Sequence, residues 1–124
     1  IEREIRKMLE KGVDIVILTG GMSVDPDDKT PKAITDVSEN LITYGAPVLP
    51  GAMFCLGYSS EGVPIMGLPG CVMYERSTIF DLILPRIAAK DPVKTEEIAG
   101  LGHGGLCLQC KICTYPECSF GKGV

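Results

Sequence analysis

Residues 14–31, DIVILTGGMSVDPDDKTP, decide the fold. Residues 14–19 form an unbroken apolar run rich in β-branched side chains, which is typical of a parallel strand buried on both faces. A glycine pair follows the run directly. Thr30 and Pro31 then predict a helix start, with Thr30 as N-cap and Pro31 at the first helical position. The order strand, glycine loop and helix indicates an α/β fold, in which ligands bind at the carboxyl ends of the strands.

Apolar spacing on either side of this stretch predicts the remaining elements. We expect a helix over residues 1–11, and a helix from Thr30 to about Tyr44. Two short strands at residues 52–58 and 63–68 are expected as a hairpin or as neighbours in the sheet. A further helix is expected over about residues 73–89, with a kink at Pro85.

The chain divides into three parts by composition. Residues 1–92 form the predicted domain, residues 93–99 a linker, and residues 100–124 a tail rich in glycine and cysteine. The tail has no periodic apolar pattern and cannot build its own core. We therefore expect a metal, or the preceding domain, to order it.

Composition and charge exclude some classes of partner. The chain has 124 residues, 45% of them hydrophobic, and a net charge of -4 with no basic cluster. Phosphate backbones require clustered Lys and Arg, so we expect no nucleic-acid surface. No apolar run approaches the roughly 20 residues of a membrane span, so we expect no membrane segment. Small molecules or proteins are the expected partners.

The chain starts without an initiator Met, on a charged segment typical of the middle of an amphipathic helix and not of a signal peptide. We therefore expect a fragment whose upstream residues are missing. Six cysteines occur, four of them within residues 107–118. This clustering favours metal binding in a reducing cytoplasm over disulfides in an exported protein.

The loop after the first strand combines groups that suit a phosphate with groups that suit a cation. The Gly20-Gly21 pair frees backbone amides to approach a phosphate at the start of a helix. Three carboxylates and two hydroxyls lie nearby: Asp25, Asp27, Asp28, Ser23 and Thr30. They suit a phosphate bridged by a divalent cation. A plain tight turn with carboxylates that stabilise the helix start is an equal alternative on spacing alone.

Residues 14–31 resemble the molybdopterin-binding domain family, which includes molybdopterin adenylyltransferases and molybdopterin molybdotransferases. The Thr19-Gly20-Gly21 loop and the ending Asp28-x-Thr30-Pro31 resemble the adenylyltransferases. Gly-Gly-x-Ser-Val followed by Asp28 is similar to the molybdotransferases. In both alignments Asp28 matches the functional aspartate of the family.

A second block strengthens the resemblance. Leu49-Pro50-Gly51, then Gly57, then residues 62–70, GVPIMGLPG, follow the order and spacing of the molybdotransferase ending. The two blocks together cover about residues 14–89. The resemblance implies a three-layer α/β sandwich around a mostly parallel sheet, truncated at its N-terminus here and extended by the small cysteine-rich tail. It also implies that the two glycine turns face each other across a pterin site.

The resemblance implies molybdopterin binding in molybdenum cofactor biosynthesis, with nucleotidyl or molybdate transfer onto molybdopterin. We favour a transferase, in which Asp28 is catalytic and helps to place Mg²⁺ or the molybdenum precursor. The implied cofactor-binding residues are Thr19, Gly20, Gly21, Met22, Ser23, Asp25, Asp28, Thr30, Pro69 and Gly70. The implied partners are molybdopterin or adenylylated molybdopterin, a molybdoenzyme, and further copies of the chain in a dimer or trimer.

The sequence departs from the family pattern at three places. Cys71-Val72 follows the second glycine turn, where the family usually has Asn-Pro or a similar pair. Asp25 stands where molybdotransferases tend to have glycine. The first strand of the family and its upstream functional aspartate fall before Ile1. A non-catalytic carrier or sensor of the cofactor, docked to a molybdoenzyme through its tail, is therefore an alternative.

The tail supplies four thiols in the pattern Cys107-x2-Cys110-x2-Cys113-x4-Cys118. Four thiolates are the ligand set of a tetrahedral Zn²⁺ site or a [4Fe-4S] cluster, and the spacing leaves both open. Free thiols or a disulfide pair are the alternative. If a metal site forms there, the tail itself is a candidate for the functional part of the chain, as an iron-sulfur or zinc module. We expect His103 to be a surface imidazole, and Cys55 and Cys71 to be buried, inert thiols.

Overall fold

The computed structural model describes residues 1–123, so Val124, the last residue of the predicted tail, lies outside the described residues. Four helices, one short 3₁₀ helix and four strands occur in this part of the chain. In chain order they are α1 (Glu2–Glu10), β1 (Val16–Thr19), α2 (Thr30–Val37), β2 (Asn40–Tyr44), β3 (Cys55–Tyr58), β4 (Pro64–Leu68), the 3₁₀ helix (Gly70–Met73), α3 (Ile79–Ala88) and α4 (Thr95–Gly100). The predicted α/β class is confirmed.

The four strands form one mixed sheet in the order β1-β4-β3-β2. β1 runs parallel to β4, with Thr19 opposite Leu68 at the end of both strands. β3 runs antiparallel to both β2 and β4. The predicted hairpin of the two short apolar runs is therefore present as β3 and β4.

Side chains alternate across the sheet and bury two separate cores. Cys55 and Ile65 point to the core formed with α1 and α2, whereas Leu56 and Met66 point to the core formed with α3 and α4. Each of these four residues is 0% exposed. Helices on both faces of a sheet make the three-layer sandwich that the resemblance implied.

The helix expected to reach Tyr44 ends at Val37, which corrects that prediction. Ser38 has extended backbone angles (φ -74°, ψ 135°), and its hydroxyl donates to the carbonyl of Ile34. The residues that follow form β2 and pair with β3. Pairing buries Ile42 and fills the backbone hydrogen bonds of β3, a long-range gain that helical periodicity cannot reveal.

The prediction that the first strand is buried on both faces is wrong. β1 begins at Val16, and within residues 1–123 it pairs with β4 alone. Val16 is buried, but Ile17 is 45% exposed. β1 is thus an edge strand of the described sheet.

Pro85 lies inside α3 without ending it. A proline has no N–H to give to the carbonyl four residues earlier, which here is that of Asp81. The hydroxyl of Tyr115, in the tail, lies 3.3 Å from this carbonyl and donates to it. The helix also starts later than expected, because Thr78 and Asp81 form a capping box at its N-terminus.

The segment predicted as a linker, residues 93–99, instead packs on the domain. Val93 and Ile98 are each 2% exposed and belong to the core beneath α3. The N–H of Val93 donates to the hydroxyl of Tyr58 at 3.1 Å, and the hydroxyl of Thr95 donates to the carbonyl of Ile42 at 2.8 Å. Phe120, near the end of the tail, is also 2% exposed in this core. None of the helices in residues 1–123 has the length and apolar character needed to cross a bilayer.

Candidate functional site

The two glycine turns start side by side at one edge of the sheet. β1 and β4 are parallel and end in register, so the Gly20-Gly21 loop and the Pro69-Gly70 turn leave from neighbouring strand ends. In open α/β sheets this edge is where ligands collect. The fold therefore brings together two turns, at residues 20–21 and 69–70, that are distant in the sequence.

Hydrogen bonds within the first loop define its shape. One carboxylate oxygen of Asp28 accepts from both the N–H of Ser23, at 2.8 Å, and the hydroxyl of Ser23. Asp25 accepts from the N–H of Asp27 at 2.9 Å. These hydrogen bonds hold the loop in its folded shape, so Asp25 and Asp28 have a structural role.

Thr30 ties the loop to α2, though not as the predicted N-cap. Lys29 occupies the N-cap position without a side-chain bond, and Thr30 is the first residue of α2. The hydroxyl of Thr30 instead donates to the carbonyl of Gly20 at 2.9 Å. Gly21 has a positive φ of 64°, and a Cβ atom there would lie 2.6 Å from the same hydroxyl. Gly21 is thus needed for this close packing.

Met22 anchors the loop from beneath. It is 3% exposed and belongs to the core shared with α1 and α2. A Cβ atom on Gly67 of β4 would lie 2.6 Å from the sulfur of Met22. The side chain predicted to bind a cofactor is therefore a core side chain that holds the loop against β4.

Open space surrounds one glycine in each of the two turns, Gly20 in the first and Gly70 in the second. In the described part of the chain, no atom comes within 4 Å of a Cβ atom placed on either residue. In the second block Gly62, which precedes β4 at the other end of the sheet, is open as well, whereas Gly51 packs against Ile79, Gly57 against Ser38, and Gly67 against Met22. Gly20 and Gly70 leave open backbone where a ligand can approach.

The remaining predicted site residues differ in their accessibility. Pro69 is buried and Asp28 is half-buried. The exposed members of the set are Thr19, Gly20, Ser23, Asp25 and Gly70. The site is an open surface along the strand ends and not an enclosed cavity.

The three loop aspartates do not form a metal site on their own. Across residues 1–123, no three His, Cys, Asp or Glu side chains are placed to hold one ion. Mg²⁺ commonly uses one or two carboxylates and completes its shell with substrate phosphates and water. A Mg²⁺ ion at this loop would therefore need the oxygens of a bound phosphate.

The four tail cysteines line a single cavity of about 380 Å³, together with residues 74–77. They are free thiols, and Cys110 and Cys113 are exposed. No three of these cysteines, or of the other His, Cys, Asp and Glu residues in 1–123, converge on one point, so the predicted metal site is not preformed. Residues 74–77 are not among the site residues predicted from the sequence, although they follow the second glycine turn closely.

The other predicted side chains are placed as follows. His103 is exposed, as expected of a surface imidazole. Cys55 is buried, and burial raises the pKa of its thiol to about 11, so this thiol stays protonated and inert. Cys71 is only half-buried, with the pKa of its thiol also raised by burial.

The amino-acid sequence that forms this site matches a known protein family. Residues 1–89 match the family described as "Probable molybdopterin binding domain". The chain belongs to this family. The match covers more than half of the chain and leaves the cysteine-rich tail outside it, and no curated protein matches the chain.

Membership of the molybdopterin-binding family confirms the resemblance drawn from the two sequence blocks. It agrees with the three-layer α/β architecture and supports a role in molybdenum cofactor biosynthesis or molybdopterin binding. The open strand-end surface at Gly20 and Gly70 lies within the matched residues. The matched domain therefore carries the candidate site.

We expect Thr30→Val to loosen the first loop. The change keeps the shape of the buried side chain but removes the donor to Gly20, which should cost about 1 kcal/mol of unfolding free energy in urea denaturation. Thr35→Val is the matched control, because the exposed hydroxyl of Thr35 bonds only to Pro31 in its own helix. Equal stability of the two variants would contradict the anchoring role of Thr30.

Proposed function

We propose that the chain binds molybdopterin across the two glycine turns, as a transferase domain of molybdenum cofactor biosynthesis. The observation that carries the proposal is the pair of open glycines, Gly20 and Gly70, at adjacent parallel strand ends. Family membership supplies the ligand class. Together they favour a site that is open to ligand on both turns.

The first turn fits the terminal phosphate of molybdopterin. The backbone N–H groups of Gly20 and Gly21 lie in the loop before α2, and the bond from Thr30 to the carbonyl of Gly20 holds this turn beside the N-terminus of the helix. Amides at such a position bind anions, and the helix dipole adds a favourable partial positive charge. The second turn, Pro69-Gly70, then forms the wall against which the pterin lies. Thr19 completes the floor at the end of β1.

Asp28 is the residue to which we assign the charged part of the site. Its carboxylate already accepts two hydrogen bonds from Ser23, which hold it in place above the loop. In this position it can share a Mg²⁺ ion with the ligand phosphate or help to place a molybdenum precursor, while Asp25 adds negative charge nearby. Nucleotidyl or molybdate transfer would then depend on positioning and charge neutralisation, without a covalent intermediate on the protein.

A non-catalytic carrier of molybdopterin is the second candidate function. The first loop uses both Asp25 and Asp28 in its own hydrogen bonds, which a purely binding loop would also do. Retained pterin binding without turnover of nucleotide or molybdate would favour the carrier. Both candidate functions, transferase and carrier, include a homo-oligomer that covers the open site and a molybdoenzyme that receives the cofactor.

Binding is tested most cleanly at Gly70. We expect Gly70→Leu to fold normally, because open space surrounds the position and its φ is not positive, yet to lower molybdopterin affinity at least tenfold. Gly100→Leu is the control, since it adds the same side chain into open space at the end of α4. Titration of fluorescence with purified molybdopterin measures both. Wild-type affinity in Gly70→Leu would overturn the placement of the site.

Charge at the loop is tested at Asp28. We expect Asp28→Asn to keep the acceptor for Ser23 but to abolish the increase in molybdopterin affinity that Mg²⁺ produces in the wild type. Asp27→Asn is the control, because Asp27 is exposed and only its backbone N–H bonds to Asp25 in the loop. The binding titration is repeated with and without Mg²⁺. An unchanged response to Mg²⁺ in Asp28→Asn would contradict the role of Asp28.

A further inference from the structure

The segment from Gly104 to Gly121 is a loop fixed at both ends. The N–H of Gly121 donates to the carbonyl of Gly104 at 2.9 Å, which closes the loop on itself. Leu49 holds the first arm: its N–H donates to Gly105 at 2.7 Å, and its carbonyl accepts from the N–H of Cys107 at 2.8 Å. Phe120 holds the second arm in the core. Both ends of the cysteine-rich loop are therefore built into the domain.

The middle of the loop has no apolar interior to order it. Residues 108–114 contain no helix or strand and are exposed, and Leu108 and Ile112 are 71% and 81% exposed. Ordering a backbone segment costs conformational entropy at every residue. Something other than hydrophobic burial must offset that cost if the loop is to hold one shape.

The cysteines, in contrast to the isoleucine beside them, border a common space. Cys107, Cys110, Cys113 and Cys118 all line the cavity of about 380 Å³, whereas Ile112 does not line it. Leu106, Leu108, Tyr115 and Phe120 line it as well, so the four thiols share a space that is partly apolar.

The segment between the first two cysteines has an unusual backbone conformation. Gln109 has a positive φ of 50°, which non-glycine residues rarely adopt. The side-chain amide of Gln109 donates to the carboxylate of Glu75 at 3.2 Å on the cavity wall. Glu75 of the cavity wall thus holds the residue that lies between Cys107 and Cys110.

Charges on the cavity wall suit a centre that carries net negative charge. Four thiolates around a divalent ion sum to a charge of about -2, and a four-thiolate cluster is likewise anionic. Arg76 and Lys111 line the cavity and offset this charge. Glu75 also lines it and acts in the opposite direction, but it is engaged by Gln109.

From these observations we propose that Cys107, Cys110, Cys113 and Cys118 hold one thiolate-ligated metal centre, a single Zn²⁺ ion or a [4Fe-4S] cluster. Each thiol loses its proton to the solvent on binding, and a [4Fe-4S] cluster would form from sulfide with both ferrous and ferric iron, so that no further oxidant is needed. Because the thiols do not yet converge, binding must draw residues 108–114 inward and order them. The centre would lie beside residues 74–77, directly after the 3₁₀ helix that starts at Gly70.

The test is metal content of the whole chain purified without oxygen, by elemental analysis and visible absorption. We expect either about one zinc per chain and no colour, or iron with matching acid-labile sulfide and a broad thiolate-to-iron absorption. Cys110→Ser combined with Cys113→Ser should lower the metal content at least tenfold, and both positions are exposed, so the core is untouched. Cys71→Ser, which changes a cysteine outside the cavity, should keep it.

Thermal unfolding of the wild type gives a second test, which does not depend on whether the double variant folds. Bound metal should raise the thermal unfolding midpoint of the wild type, and a strong chelator should reverse the rise. The proposal is overturned if the wild type contains neither metal, binds neither Zn²⁺ nor iron and sulfide on reconstitution, and has its four tail thiols alkylated in the native state. None of these measurements involves pterin, so their outcome is separate from that of the proposed function.

Discussion

Parallel pairing of β1 with β4 is the constraint on which the candidate site depends. Because both strands run the same way and end in register at Thr19 and Leu68, the two glycine turns leave from one edge of the sheet. An antiparallel pair would send them to opposite edges. Met22 packed over Gly67 locks this arrangement, since the first loop and β4 then share a single close contact. The site is thus a consequence of strand direction as much as of the loop residues.

Local signals in the sequence were enough for the central part of this arrangement. The apolar run before Gly20, the hairpin of β3 and β4, and the two glycine turns all show in neighbouring residues, and all are present in the structure. Predictions failed where distant contacts decide the outcome. β2 takes residues that could continue a helix, because β3 offers them hydrogen-bond partners. The hydroxyl of Thr30 bonds to the carbonyl of Gly20, ten residues earlier in the chain. Val93 is buried because it packs in the core with residues of α3, a contact that sequence periodicity does not predict.

Contacts of the tail with the domain show why composition misjudged the end of the chain. A glycine- and cysteine-rich sequence indicates a segment without its own core, and residues 108–114 match that expectation. Tyr115 and Phe120 nevertheless join the tail to α3: the hydroxyl of Tyr115 donates to the Asp81 carbonyl that Pro85 leaves free, and the ring of Phe120 fills the core. Two aromatic residues are too few to give a periodic signal. Their positions within the tail became meaningful only once the fold had placed α3 beneath them.

The central claim is that the matched domain holds molybdopterin, and the pterin content of the native protein tests it most directly. The protein is purified without oxygen from cells that make the molybdenum cofactor, denatured, and oxidised with iodine, and the fluorescent pterin product is separated by chromatography. We expect pterin in an amount comparable to the protein. Absence of pterin, even after excess molybdopterin is added back to the folded protein, would contradict the account and leave the open turns at Gly20 and Gly70 without the assigned ligand.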